Sequence, residues 1–210
     1  MTAQIPTKTF GILLFPDVEE LDFVGPWEVF TTFAKYFDQD WQVVTIAETP
    51  GALKCAKGLS VVPDHTFDDC PRMDVLLVPG GQGTRREVDN EALIGFVRRV
   101  GGGCQWVTSV CTGAFVLSRA GFLQGRRATT HWATLDLLRS EPGVEVVEQR
   151  FVQDGNVITA AGVSAGIDMA LHLVGLLKDP EVARNVQKAI EYYPKPPYAD
   201  EAIVAGREAN

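Results

Sequence analysis

The sequence predicts an α/β sandwich, a parallel central sheet covered by helices on each side. Three observations lead there: short uninterrupted apolar runs that read as strands buried on both faces, helical stretches alternating with them, and Gly- or Pro-marked turns between the two. With 210 residues, 46% of them apolar, the chain is long enough for a sizeable core at roughly 100–200 residues per domain. A single domain over 1–210 is expected, its core spanning about 10–193 and a tail 194–210.

Phe10-Gly11-Ile12-Leu13-Leu14-Phe15, closed by Pro16-Asp17, reads as the first strand, because it is too short for a helix and shows no alternation. A helix then opens at Gly25-Pro26-Trp27-Glu28-Val29-Phe30, with Pro26 in the first turn, where its missing N–H costs nothing. Trp41 to Ala47 is the second strand, and Ala52 to Val62, with Gly58 near its middle, a small hairpin. Asp74-Val75-Leu76-Leu77-Val78 is a buried strand ended by Pro79-Gly80-Gly81, and a helix follows from about Asn90 to Val100 before Gly101-Gly102-Gly103.

Gln105 to Val110 is a further strand and Thr112 to Ala120 a short helix whose small residues Gly113 and Ala114 allow close packing. Arg127 to Thr130 reads as a short strand, Ala133 to Arg139 as a helix, and Val144 to Val152 with Asn156 to Ala160 as an antiparallel hairpin turned at Asp154-Gly155. Ser164 is placed to cap a long apolar helix through Leu177, and Pro180 opens another ending near Tyr192. From Pro194 the chain is proline-rich and then polar.

Nineteen Lys and Arg against 27 Asp and Glu give a net charge of −8, which argues against a nucleic-acid partner, since phosphate binding needs a clustered basic surface. No segment reaches the roughly 20 apolar residues of a membrane span, and no signal-like start is present, so a cytoplasmic location is expected. Cys55, Cys70, Cys104 and Cys111 are read as free thiols. His65, His131 and His172 are too scattered for a zinc site, and no metal is expected.

Ligands in open α/β sheets bind beyond the carboxyl ends of the strands, which selects the turns after Phe15, Val78 and Val110. Cys111 stands where a buried strand passes directly into a helix, a position that presents a nucleophile and favours its thiolate. A cysteine nucleophile needs a proton partner. Asp22, between Leu21 and Phe23, is the candidate acid–base group because its apolar setting raises its pKa, whereas Asp17, Glu19 and Glu20 look solvated. His131, beside Trp132, is the alternative, and Asp22 could also simply cap the helix. Gly80-Gly81 would let the backbone approach a ligand, or serve only as a turn.

At these residues the sequence resembles the ThiJ/PfpI superfamily, a class I glutamine-amidotransferase-like group, from Phe10 to about Tyr198. The resemblance rests on the acid after the first strand, the Pro79-Gly80-Gly81 turn and the elbow at Cys111, and implies a flavodoxin-like fold with a mostly parallel central sheet, a small antiparallel hairpin and a cysteine nucleophile elbow. Within it, Leu21-Asp22-Phe23-Val24-Gly25-Pro26, Thr108-Ser109-Val110-Cys111-Thr112-Gly113, Arg126-Arg127-Ala128-Thr129-Thr130-His131-Trp132 and Ala165-Gly166-Ile167-Asp168 look like the isocyanide hydratase branch. Relatives of protease or glyoxalase type carry glutamate at the acid position and often histidine after the cysteine, where this chain has Asp22 and Thr112.

That branch implies addition of water to an isocyanide, R–N≡C, giving an N-substituted formamide without cofactor. Cys111 would be the nucleophile and Asp22 the acid–base group, with Gly80, Gly81, Thr112 and Val163 contacting the substrate or a developing anion. The Ala160-Ala161-Gly162-Val163 turn departs from the glycine-rich turn of the branch. An apolar pocket lined by residues such as Phe23, Trp27 or Trp132 is expected for R. Alternatives are a glyoxalase or deglycase using the same cysteine, a redox or ligand sensor, and the regulator domain of AraC-type proteins, which share the Cys-Thr-Gly and Thr-Thr-His-Trp segments. A homodimer is implied by resemblance, and the tail Tyr192-Tyr193-Pro194-Lys195-Pro196-Pro197-Tyr198 could cross onto a partner or pack on its own chain.

Overall fold

The computed structural model describes residues 7–198. The chain begins with β1 (Lys8–Leu13), α1 (Glu20–Tyr36) and β2 (Trp41–Ala47). A small antiparallel hairpin, β3 (Leu53–Lys54) and β4 (Ser60–Val61), precedes the two-residue strand β5 (His65–Thr66). Then come β6 (Val75–Val78), the one-turn α2 (Thr84–Glu87), α3 (Glu91–Gly101), β7 (Trp106–Val110) and α4 (Gly113–Arg119). β8 (Arg126–Ala128), a 3-10 turn at Trp132–Thr134, α5 (Leu135–Arg139) and β9 (Val144–Val146) lead to the hairpin β10 (Phe151–Asp154) and β11 (Val157–Ala160). α6 (Ala165–Leu177) and α7 (Pro180–Ala189) close the fold.

The central sheet has the order β10-β11-β7-β6-β1-β2-β5 and is parallel throughout except for β10. β1, β6, β7 and β11 are buried almost end to end, as their uninterrupted apolar runs require. The winding reverses at β1, which has β2 on one side and β6 on the other, so a crevice opens at the carboxyl ends of β1 and β6. Helices α1, α6 and α7 pack together, and α2 and α3 each pack against α4 as a second group. Phe10 of β1 stacks on Phe30 of α1 at 4.2 Å and meets Trp41 of β2 at 4.3 Å, a cluster in which each fully buried aromatic contributes about 1.5–3 kcal/mol.

Several boundaries differ from the sequence reading, each for a nonlocal reason. α1 begins at Glu20, so Pro26 lies inside it and removes the N–H that would reach the Asp22 carbonyl. Tertiary contacts hold the extra turn: the Glu19 N–H donates to the Gly80 carbonyl at 2.9 Å, and Glu20 Oε1 accepts from the Lys57 N–H at 2.8 Å. Gly25 and Pro26 form a flat spot against Ile167 and Gly166 of α6, where a Cβ on Gly25 would come within 2.9 Å of Ile167. Val144 to Val152 is two elements, because β9 leaves to pair parallel with β8 while β10 joins the main sheet. Ser164 precedes α6 as expected but makes no side-chain cap. Its hydroxyl accepts instead from Arg150 Nη2 at 3.3 Å. Of the predicted tail, 194–198 form no helix or strand, and 199–210 lie outside the described residues.

Candidate active site

The first turn of α1 carries Asp22 to the crevice, fully buried. Its Oδ2 accepts the Gly80 N–H at 2.9 Å, while Oδ1 is buried with no partner of ordinary hydrogen-bond geometry. The thiol of Cys111, a weak donor, also bears on this carboxyl. Burial is the main cause that pushes the Asp22 pKa from 3.8 up to about 7. Glu19 adds to the rise, while the Gly80 N–H, the Cys111 thiol and Lys57 oppose it. A carboxyl in this range is available both charged and neutral near pH 7, as acid–base work requires.

Cys111 lies between β7 and α4 with φ +56, a left-handed conformation that costs a non-glycine residue on the order of 1–3 kcal/mol unless its surroundings impose it. Here they do. Its N–H donates to the carbonyls of Ala160 and Ala161 at 3.1 and 2.9 Å, and its carbonyl accepts from the Thr130 hydroxyl at 2.8 Å. The bend is a sharp strand-to-helix elbow, the kind of turn that can present a nucleophile. Burial, followed by the Asp22 charge, pushes the Cys111 thiol up to about 12, with the Thr112 N–H and hydroxyl pulling the other way. The expected ionisation by the helix terminus is thus outweighed, and the proton rests on the sulfur in the free site.

Gly80 is a steric necessity, since a Cβ there would sit 2.5 Å from the Thr112 nitrogen and 2.9 Å from Asp22 Oδ2. Gly81, at φ +125, turns its N–H onto Thr112 Oγ1 at 3.0 Å. The two amides expected to face a substrate are therefore engaged within the site, Gly80 holding Asp22 and Gly81 holding Thr112. Thr112 alone of the three has its N–H directed at the sulfur. Val163 stands at the β11–α6 junction with φ +43, strained for a β-branched residue, in the turn whose Ala160 and Ala161 carbonyls hold Cys111.

His131 takes a structural position. Its Nδ1 accepts the Ala133 N–H at 3.2 Å, and its ring fills the space beside Gly162, where a Cβ would come within 2.3 Å. Glu19 and Glu20 are half-buried rather than solvated: Glu19 pairs with Lys57, and Glu20 Oε2 is a buried oxygen without a partner. The β3–β4 hairpin thus folds down on the acidic loop. Phe23 is buried in the core, and Trp27 and Trp132 are partly exposed. None of the three lines the cleft of about 260 Å³ that reaches Thr112, whose walls include Thr84, Val88, Phe115 and Leu137.

Two groups of residues escaped the sequence reading. Thr84 on α2 sets its hydroxyl 2.9 Å from that of Thr112. Arg150 ion-pairs with Asp168 and reaches Tyr192 Oη at 3.3 Å, while its carbonyl accepts the Ala161 N–H at 2.9 Å. This ties the Ala161 turn to α6, and the Ala165-Gly166-Ile167-Asp168 segment was its one trace in the sequence.

Comparisons with known proteins give the family. The sequence pattern of the DJ-1/PfpI family matches residues 8–176. The chain is 43% identical over 188 residues to the isonitrile hydratase of Pseudomonas putida, covering 90% of this chain and 80% of that one. It is 30% identical to the HTH-type transcriptional regulator CdhR of Pseudomonas aeruginosa, but spans only 54% of that protein. Among solved structures, a THiJ/PfpI family protein from Pseudomonas syringae superposes with a TM-score of 0.85 at 34% identity, covering 91% of this chain and 77% of that one. With its pattern matched over most of the chain and its fold and elbow in place, the chain belongs to the DJ-1/PfpI family.

Proposed function

We propose that the protein is a cofactor-independent isocyanide hydratase, a hydro-lyase that converts R–N≡C and water to R–NH–CHO. The observation that carries this reading is the pairing of the Asp22 carboxyl, held by Gly80, with the thiol of Cys111 at the elbow. The similarity to isonitrile hydratase supports the choice of substrate.

Between the two macroscopic ionisations the pair holds one proton, exchanged between sulfur and carboxylate. With the proton on Asp22, the thiolate attacks the terminal isocyanide carbon while Asp22 protonates that carbon, giving the thioimidate Cys–S–CH=N–R and an aspartate. Aspartate then takes a proton from water as the oxygen adds to the same carbon, and returns it to nitrogen. Collapse of Cys–S–CH(OH)–NH–R releases the formamide, the hydroxyl proton passing to Asp22 and the sulfur leaving as thiolate. The Thr112 N–H steadies the sulfur at both ends of the cycle. Gly80 and Gly81 act by orienting Asp22 and Thr112, and Val163 lies in the turn whose Ala160 and Ala161 carbonyls hold the Cys111 backbone.

Free thiols at all four cysteines suit a cytoplasmic enzyme, and no helix among the described residues is long and apolar enough to cross a membrane. A homodimer formed through α1 would cover Leu21, Val24 and Trp27, which are partly exposed along one stripe of that helix. Incubation with phenyl isocyanide tests the reading. N-phenylformamide is expected from the wild type and at least 10³-fold less from Cys111→Ala. Lactate from methylglyoxal, with no formamide, would assign the site to glyoxalase chemistry instead.

A further inference from the structure

Three carboxyl groups, Glu19, Glu20 and Asp22, crowd into the start of α1, and the tip of the β3–β4 hairpin is tied down beside them. The Asp17 N–H donates to the Lys54 carbonyl and the Ala56 N–H to the Val18 carbonyl, both at 2.8 Å. The Lys57 N–H donates to Glu20 Oε1 at 2.8 Å, and the Leu59 N–H reaches the same oxygen at 3.4 Å. Lys57 therefore leaves the hairpin from a fixed point, and its ammonium pairs with Glu19 Oε1. The hydrogen bond to Glu19, with the charges of Glu19, Glu20 and Asp22, raises the Lys57 pKa above 10.5, so it is a cation throughout the neutral range. The Glu19 side chain is only 14% exposed, and a charge so placed is weakly screened by salt where it acts on Asp22, three residues on.

We infer that Lys57 is a positioning residue for the Asp22 proton: held over Glu19 by the docked hairpin, it offsets a carboxylate that repels the acid–base group and so sets the pH at which that group becomes a base. The effect on turnover rests on the hydratase reading, whereas the ionisation itself can be followed without that substrate. The groups that act on Asp22 come from several elements. Burial and Glu19 hold its proton on, while the Gly80 N–H after β6, the Cys111 thiol at the elbow and Lys57 of the hairpin favour its release. Gly80 and Cys111 hydrogen-bond the carboxyl itself. Lys57 acts through its charge and can be changed without touching the reacting atoms. Neutralising it leaves Glu19 unopposed, so Asp22 keeps its proton to higher pH, because a like charge disfavours the carboxylate. Neutralising Glu19 does the reverse, and removing both charges brings the two effects close to cancellation. With the Lys57 side chain 68% exposed, the shift is modest, about threefold in proton concentration or about 0.5 in pH.

The pH dependence of two reactions of the full chain is the test: kcat/KM for phenyl isocyanide, and alkylation of Cys111 by iodoacetamide, followed on the peptide that contains it. Both require the Asp22–Cys111 pair to have lost its first proton, so both midpoints should lie near pH 7 in the wild type. Lys57→Met is expected to move them up by about 0.5 and Glu19→Gln down by at least as much, with the double variant within about 0.2 of the wild type. Lys57→Arg keeps the charge and should leave both midpoints in place. Plateau rates of the two Lys57 variants should stay within about twofold of the wild type. Unmoved midpoints in Lys57→Met, whatever its plateau, overturn the inference and leave the hydratase reading standing, as does a midpoint that moves equally in Lys57→Arg. Alkylation midpoints that move as expected while the wild type makes no formamide overturn the hydratase reading and leave the role of Lys57 intact.

Discussion

Cys104 and Cys111 flank the same strand, β7, and share the properties most often used to judge a cysteine. Each is 8% exposed, and burial pushes each thiol up to about 12. Their surroundings differ. Cys104 directs its sulfur at the carbonyls of Val100 and Met73, at 3.3 and 3.5 Å, which can accept a hydrogen bond but cannot take up the proton. Cys111 has a left-handed backbone and faces a carboxyl group whose pKa lies near 7. Burial raises the cost of forming a thiolate at both places. Asp74 acts on Cys104 through its charge, whereas at the elbow the carboxyl group is hydrogen-bonded to the thiol itself and can take the proton with the net charge of the site unchanged.

The sharpest way to break this contrast is a pair of matched deletions. Cys111→Ala is expected to lower formamide production at least 10³-fold, whereas Cys104→Ala leaves it within about twofold and costs about 1 kcal/mol of stability in denaturant unfolding. Loss of activity in both variants would erase the distinction. Asp22→Asn comes next: it keeps an oxygen to accept the Gly80 N–H but cannot move a proton, and kcat should fall about 10²–10⁴-fold.

Acidity sharpens the comparison further, because Asp22 links activity and stability in opposite directions. Its folded pKa of about 7 lies above the ordinary 3.8, so between those values the native protein holds a proton that the unfolded chain has lost. Stability therefore falls as pH rises across that window, by up to roughly 4 kcal/mol. Over the same rise kcat/KM should increase to a plateau above about pH 7, since the fully protonated pair has neither carboxylate nor thiolate. Urea titrations from pH 4 to 8 should show this slope in the wild type and its loss in Asp22→Asn, which becomes the more stable protein above pH 7. The smallest effect concerns the backbone. Glycine at 111 should be more stable than alanine by about 1 kcal/mol because φ is positive there, while at 104, where it is not, glycine should be worse than alanine by about 0.5–1 kcal/mol.

Much of this was legible in the residues. Ile12-Leu13-Leu14, Leu76-Leu77-Val78 and Val107 to Val110 read as buried strands, and Cys111 follows one of them directly, so these strands and the bend at Cys111 could be placed before any coordinate, while the order of the strands in the sheet could not. Asp22 was singled out by its apolar neighbours, and burial is the leading cause of its raised pKa. What could not be read was set by distant partners. The start of α1 is fixed by Gly80 and Lys57, 61 and 37 residues from the groups they bond, and these contacts override the local signal of Gly25-Pro26. The occupation of the Gly80 and Gly81 amides depends on three turns meeting at one point. The Arg150–Asp168 pair joins a loop to a helix, and nothing near Arg150 in the sequence marks the contact.

The most direct test of the central claim is rapid acid quenching during turnover of phenyl isocyanide, followed by mass analysis of the digested protein. The account predicts that the peptide containing Cys111, and not that containing Cys104, gains the full mass of one isocyanide, as a thioimidate requires. An adduct on Cys104, or formamide produced at the wild-type rate by Cys111→Ala with no adduct anywhere, would contradict it.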